Sequence, residues 1–103
     1  MIIVNTDYIS GRQLATIGLV VGNTVQSKDF VRDIGQGLKT LVGGELKSYS
    51  EMMTQARNIA TERMIESAHQ LGADAVVNVK YASSNVMQGA SEILAYGTAV
   101  KFI

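Results

Sequence analysis

Apolar and polar residues follow two different periods along this chain, and the switch between them outlines its elements. From Tyr49 to Leu71 the apolar positions recur at spacings of three and four: Tyr49, Met53, Ala56, Ala60, Met64, Ala68 and Leu71, widened by Met52, Ile59 and Ile65. Gln55, Asn58, Glu62, Glu66 and Gln70 fall mostly on the outer side. This pattern predicts a long helix with one buried stripe. Ser48-Tyr49-Ser50-Glu51 has the form of a capping box that would start it. Gly72 suits the left-handed residue that closes a helix. At about 1.5 Å per residue these positions span roughly 34 Å, whereas a compact domain of this size has a radius of gyration near ~13 Å. The helix is expected to cross the whole monomer and overhang it, and an apolar stripe that outruns its domain calls for self-association.

Elsewhere the period is two. Ile2-Ile3-Val4, ended by Asn5-Thr6-Asp7, reads as a first strand. From Leu14 to Gln26, Ala15, Ile17, Leu19, Val21 and Val25 share one side, against Thr16, Gly18, Val20, Gly22 and Thr24. This predicts a strand with a buried apolar face and a small-residue face, broken or bulged near Gly22. Gly18 and Gly22 have the spacing of a membrane helix-pairing motif, but the period of two around them outweighs it. Ala75 to Tyr81 reads as a third strand, apolar on the Ala75, Val77, Val79 and Tyr81 side, and Ser83 to Ala90 as a polar hairpin connection. The last strand covers about Ser91 to Phe102. Leu94, Tyr96, Val100 and Phe102 stand on one of its faces, while Ala95, Gly97 and Ala99 leave the other flat. A flat face lets a helix backbone come close, which places the long helix over it.

Residues 27–42 read as a shorter helix. Ser27 is the candidate cap, and Phe30, Val31, Ile34, Leu38, Leu41 and Val42 have helical spacing. Gly35 and Gly37 weaken it by about 1 kcal/mol each relative to alanine. Gly35-Gln36-Gly37-Leu38-Lys39 lacks both the Walker spacing and the third glycine of a dinucleotide fingerprint. The element order is therefore β-β-α-α-β-β: one α+β domain over 1–103, an antiparallel sheet packed on one long helix.

Nine basic residues balance nine acidic ones, so no net field draws the chain to nucleic acid or to an anionic membrane. Its N-terminus lacks a basic signal-peptide region, and no apolar run approaches the ~20 residues that span a bilayer. A cytoplasmic protein is the expectation. The chain has no cysteine, which excludes disulfides and thiolate metal sites. It also has no proline, one of the common blocks on strand edges, so its edges must be protected otherwise or paired between subunits.

Candidate chemistry is sparse. Glu45 sits between Gly43-Gly44 and the helix, where a carboxylate can bind a cation, act as a base or form an inter-subunit salt bridge. Tyr49 and Arg57 lie two helical turns apart and can hold an anionic ligand together. Alternatively, Tyr49 is core and Arg57 pairs with Asp74 or Glu45. Arg63 has the same ambiguity, and Asp74 is placed to cap a turn before its strand. His69, the single histidine, lies in the last turn of the helix, where the dipole favours a cation. No nucleophile–base pair is visible.

Gly43-Gly44-Glu45-Leu46, Ala56-Arg57, Arg63-Met64, Gly72-Ala73-Asp74-Ala75-Val76-Val77 and Tyr96-Gly97-Thr98-Ala99-Val100, in this order and across the whole chain, resemble the YbjQ-like family. These are small bacterial and archaeal proteins known as uncharacterised or heavy-metal-binding. The resemblance implies a dodecin-like β/α subunit in a ring-shaped homopentamer, with short extra strands joining neighbours, and no established reaction. A divalent metal ion is the cofactor it suggests, yet heavy metals favour thiolate and imidazole. This chain offers only Glu45 and His69 as candidate ligands, unless symmetry gathers copies at an axis. The function expected is a homo-oligomeric binding or scaffold protein with a small-ligand or ion site between subunits. The alternative is a small hydrolase or isomerase using Glu45, Tyr49 and Arg57.

Overall fold

The structure is a computed structural model that describes residues 1–26, 44–87 and 90–103, and their side chains except those of 44–49, 85–87 and 90. The elements are β1 (Ile2–Ile3), β2 (Leu14–Gln26), α1 (Gly44–Gln70), β3 (Ala75–Met87) and β4 (Ala90–Phe102). The shorter helix expected over 27–42 lies outside the described residues. The strands form one sheet in the order β1-β3-β4-β2. β4 pairs antiparallel with both β3 and β2, while β1 adds to β3 in parallel. α1 covers one face, giving the predicted α+β class.

The molecule is a slab of 54 × 26 × 16 Å with a radius of gyration of 16.7 Å. That is well above the ~13 Å of a compact 100-residue domain. α1 is about 40 Å long at ~1.5 Å per residue, and each 13-residue strand about 43 Å at ~3.3 Å per residue. The sheet is thus as long as the helix. The overhang expected from sequence is replaced by matched lengths, and the surplus apolar surface lies elsewhere.

α1 begins at Gly44, four residues ahead of the expected start. Ser48 therefore falls one turn inside, and Ser48-Tyr49-Ser50-Glu51 is helix interior instead of a cap. Its end is as predicted. Gly72 has φ +74°, the Gly72 amide donates to the His69 carbonyl at 2.9 Å, and the Ala73 amide donates to the Ala68 carbonyl at 3.0 Å. These two bonds make a complete Schellman motif and turn the chain straight into β3. Leu71, placed on the buried stripe by its spacing, is carried past the helix end by this turn and is 51% exposed.

The core between α1 and the sheet is made largely of small side chains. Ala56, Ala60 and Ala68 on the helix meet Ala95 and Ala99 on β4, with Met64 and Val76 the largest fully buried side chains. The flat face predicted for β4 is indeed the one under the helix. At β2 the approach is closer still. A Cβ on Gly22 would run into the Ala60 carbonyl oxygen, the Met64 amide and the Arg63 carbonyl carbon.

This contact reverses the expected orientation of β2. Val20, Gly22 and Thr24 face the helix and are buried, while Leu19 (70%), Val25 (52%) and Val21 (42%) are exposed with Ile17. The helix backbone lies too near to admit the larger residues. β2 also runs unbroken through Gly22; its irregularity falls between Thr16 and Gly18.

A second reversal occurs in β3. Asn78 has φ +54° and the register with β4 shifts between Val77 and Lys80. The extra residue splits the predicted Ala75-Val77-Val79-Tyr81 face. Ala75 and Val77 join Val100 on the open side of the sheet. Val79 packs toward α1, and so does Tyr81, through its hydroxyl. The N-terminal strand locks the bulge: the Asn78 amide donates to the Thr6 carbonyl, the Val79 amide to the Val4 carbonyl, and Asn5 Nδ2 to the Val79 carbonyl at 2.7 Å. β3 also continues to Met87, where a hairpin connection was expected from Ser83; residues 88–89 lie outside the described ones.

On the open side, Val4, Ile9, Leu14 and Phe102 cover Ala75, Val77 and Val100. The Arg12 guanidinium stacks 4.4 Å from the Phe102 ring centroid. This small second core protects one end of that face. The other end, with Leu19, Val21 and Val25, carries no covering layer among the described residues.

Candidate functional site

Met53, Arg57 and Thr61 stand four residues apart and so line one flank of α1. That flank faces the outer edge of β3, where Tyr81 and Ser83 alternate toward the helix because of the Asn78 bulge. Ser83 pairs with Ile93 on β4. Between helix and edge runs a groove of about 210 Å³ lined by Met53, Arg57, Tyr81, Ala82, Ser83 and Ile93. Its floor is apolar, with Ile93 buried and Met53 half-buried, and its rim is polar and exposed.

Two hydrogen bonds organise the rim. Thr61 Oγ1 donates to the Arg57 carbonyl at 2.8 Å, and Thr61 Oγ1 and Tyr81 Oη are 2.8 Å apart. Among the described residues the ion pair present is Lys101–Asp74 at 3.7 Å, so no described carboxylate neutralises Arg57. A free guanidinium beside an apolar floor is suited to an organic anion, bound by charge-assisted hydrogen bonds. A wider cleft of about 620 Å³ adjoins the open side of the same strand edge, lined by Ile3, Val4, Asn5, Val79, Lys80, Tyr81 and Tyr96.

Of the residues predicted from sequence, Arg57 is in the groove. Glu45 and Tyr49 belong to the first turns of α1, and their side chains lie outside the described ones. Asp74 is not the partner of Arg57. It accepts from the Phe102 amide at 2.8 Å and pairs with Lys101, tying the start of β3 to the end of β4 instead of capping a turn. Arg63 is also settled: it donates to the Asn23 carbonyl at 2.7 Å, binding α1 to β2. His69 lies in the last turn of α1 as expected and is exposed, and Lys101 donates to the Gly72 carbonyl just beyond that helix at 3.0 Å. Thr61, Tyr81 and Ser83 were not legible as site residues. The spacing of Thr61 from Arg57 was available, but Tyr81 reached the groove only through the bulge.

A heavy-metal site finds little support in these side chains. Among the described residues no three His, Asp or Glu groups come together, and the chain has no cysteine. His69 is exposed, and Asp74 is occupied by Lys101 and a backbone amide. The donor set described does not fit a soft metal.

Among the described residues no helix is long and apolar enough to cross a membrane. Full-length relatives include a UPF0145 protein of Clostridium novyi (strain NT), 63% identical over 103 residues and covering all of both chains. A UPF0145 protein of Alkaliphilus metalliredigens (strain QYMF) is 60% identical over the same span, again covering both chains completely. A crystal structure of a protein of unknown function from the DUF74 family of Pediococcus pentosaceus superposes with a TM-score of 0.69 at 16% identity. It covers all of this chain and 98% of that one, which establishes a shared fold. The model of the YbjQ family, described as "Putative heavy-metal-binding", matches residues 1–103. With that match and relatives above half identity over the full length, the chain belongs to the YbjQ family.

Proposed function

We propose that this protein is a cytoplasmic homo-oligomer, a ring of five subunits, that binds a small organic anion in the groove between α1 and the outer edge of β3. The observation that carries this reading is the reversal of β2: its large apolar residues point away from the only described helix. A half-covered sheet normally turns polar residues to water. Contiguous apolar surface on a small domain marks an interaction site, and a second copy is the partner present wherever the chain is made.

The open strand edges support the same reading. Among the described residues β2 is an edge strand along its whole length, and β3 has no neighbour on its outer side beyond Val79. Ring closure by strand pairing would seat the Arg57 groove beside a subunit boundary. Arg57 sets the sign of the ligand, and the Met53–Ile93 floor gives it an apolar body.

Native mass spectrometry of the protein isolated from its own host tests both halves. A pentamer with a bound small anion is the expected result. A stable monomer in sedimentation at micromolar concentration would remove the oligomer, and with it the interfacial site.

A further inference from the structure

We infer that the groove selects small organic anions that also carry a hydrogen-bond donor, because the Thr61–Tyr81 contact makes the Tyr81 oxygen an acceptor only. This rests on the ligand reading above and narrows it to a chemical class.

The argument is a count of protons. Thr61 has a single hydroxyl hydrogen. Its oxygen lies 2.8 Å from the Arg57 carbonyl, which can only accept, and 2.8 Å from Tyr81 Oη. Both contacts are hydrogen bonds in one arrangement alone: Thr61 donates to the carbonyl, and the Tyr81 phenol donates to Thr61. The phenol proton is thereby spent inside the protein, and Tyr81 has only lone pairs left for a ligand. Arg57, with five N–H donors and no acceptor, has the opposite character. The two rim groups are complementary, one calling for an anion and the other for a donor.

Size limits the class further. At about 210 Å³ the groove is smaller than the ~300 Å³ at the lower end of usual ligand pockets. A ligand that satisfies Arg57, Tyr81 and the Met53–Ile93 floor together is a small hydroxy or amino acid with an apolar side group. A plain fatty or aromatic acid would leave the Tyr81 oxygen without a partner.

Three probes test this by calorimetry and amide chemical shifts on the intact protein: mandelate, phenylacetate and mandelamide. Mandelate has anion, donor and ring; phenylacetate lacks the donor; mandelamide lacks the charge. Mandelate is expected to bind roughly threefold to tenfold more tightly than phenylacetate, the difference of one hydrogen bond. Mandelamide is expected to be at least about tenfold weaker than mandelate, having lost a charge-assisted bond.

Tyr81→Phe is expected to bring the mandelate-to-phenylacetate ratio to about one. Thr61→Val frees the phenol proton, so phenylacetate gains affinity and the ratio falls. Arg57→Gln removes binding of both anions. Equal affinity of the wild type for mandelate and phenylacetate, with both lost in Arg57→Gln, would overturn the donor rule and leave the anion groove standing. Absence of shifts around Arg57 and Tyr81 with either anion would overturn the ligand reading itself. The wild-type ratio requires no variant to fold.

Discussion

On the helix side of the sheet, β2 turns Val20, Gly22 and Thr24 inward; on the other side the same strand turns Leu19, Val21 and Val25 outward. The covered face uses small residues because a helix backbone rests directly on the strand at Gly22. The open face carries the residues whose burial is worth most, about 1.5–3 kcal/mol for each Leu or Val side chain taken fully out of water. The difference separates what holds helix and sheet together, close backbone approach, from apolar surface that no described residue covers.

That division can be broken by substitution. Met64→Ala empties a fully buried site under α1 and is expected to lower the unfolding free energy by about 2–5 kcal/mol, measured by urea denaturation at fixed protein concentration. Gly22→Ala pushes a methyl group into the α1 backbone and is expected to cost about 1–3 kcal/mol, in the same assay and without altering subunit count.

Leu19→Asp addresses the opposite face. It is expected to raise the subunit dissociation constant by roughly tenfold or more, read by sedimentation velocity across a dilution series. The far-ultraviolet circular dichroism of the dissociated chain should be unchanged. A loss of helix and strand signal in dilute Leu19→Asp protein, comparable with that of Met64→Ala, would show that the open face is part of the subunit's own core. Since association stabilises the folded chain by mass action, these comparisons require equal protein concentrations.

Arg63→Ala is the mildest. It releases the Asn23 carbonyl of β2, the outermost described strand, to solvent, and less than about 1 kcal/mol should be lost. Its value lies in the edge: Arg63 holds the backbone oxygen that an added strand would need, and its removal should strengthen association if β2 pairs through that position.

Much of the fold was legible where a single local rule decided it. The stripe from Met52 to Ala68, the closure at Gly72 and the flat Ala95-Gly97-Ala99 face all follow from side-chain spacing or from glycine's freedom. The failures share a different cause. Ser48-Tyr49-Ser50-Glu51 is a cap only if the chain before it is not helical, and residues 44–47 are helical. The period of two in β2 fixed which residues share a face but not which face meets the helix. That was decided by backbone distance at Gly22, a tertiary quantity. In β3, Asn78 was the available sign, since asparagine tolerates positive φ better than most residues. Arg57 was legible as a candidate because its spacing from Tyr49 puts the two near one side of the helix. Its groove partners depended on the bulge and were not.

That bulge gives β3 a parity. Tyr81 reaches α1, and Lys80 and Ala82 face the open side opposite Tyr96 and Leu94, because of the extra residue at the register shift between Val77 and Lys80. Deleting the extra residue would leave Lys80 and Tyr81 opposite Tyr96 and Ala95 as they are, whereas a regular ladder from Val77 onward with no residue lost would turn Lys80 toward Thr61 and carry the phenol to the other side. The groove would then present a second cation where it now presents an acceptor. Which side chains stand in the groove is therefore set by whether the bulge forms as much as by the identities of the residues around it, and a substitution at Asn78 that forces a regular ladder should change the chemistry of this edge.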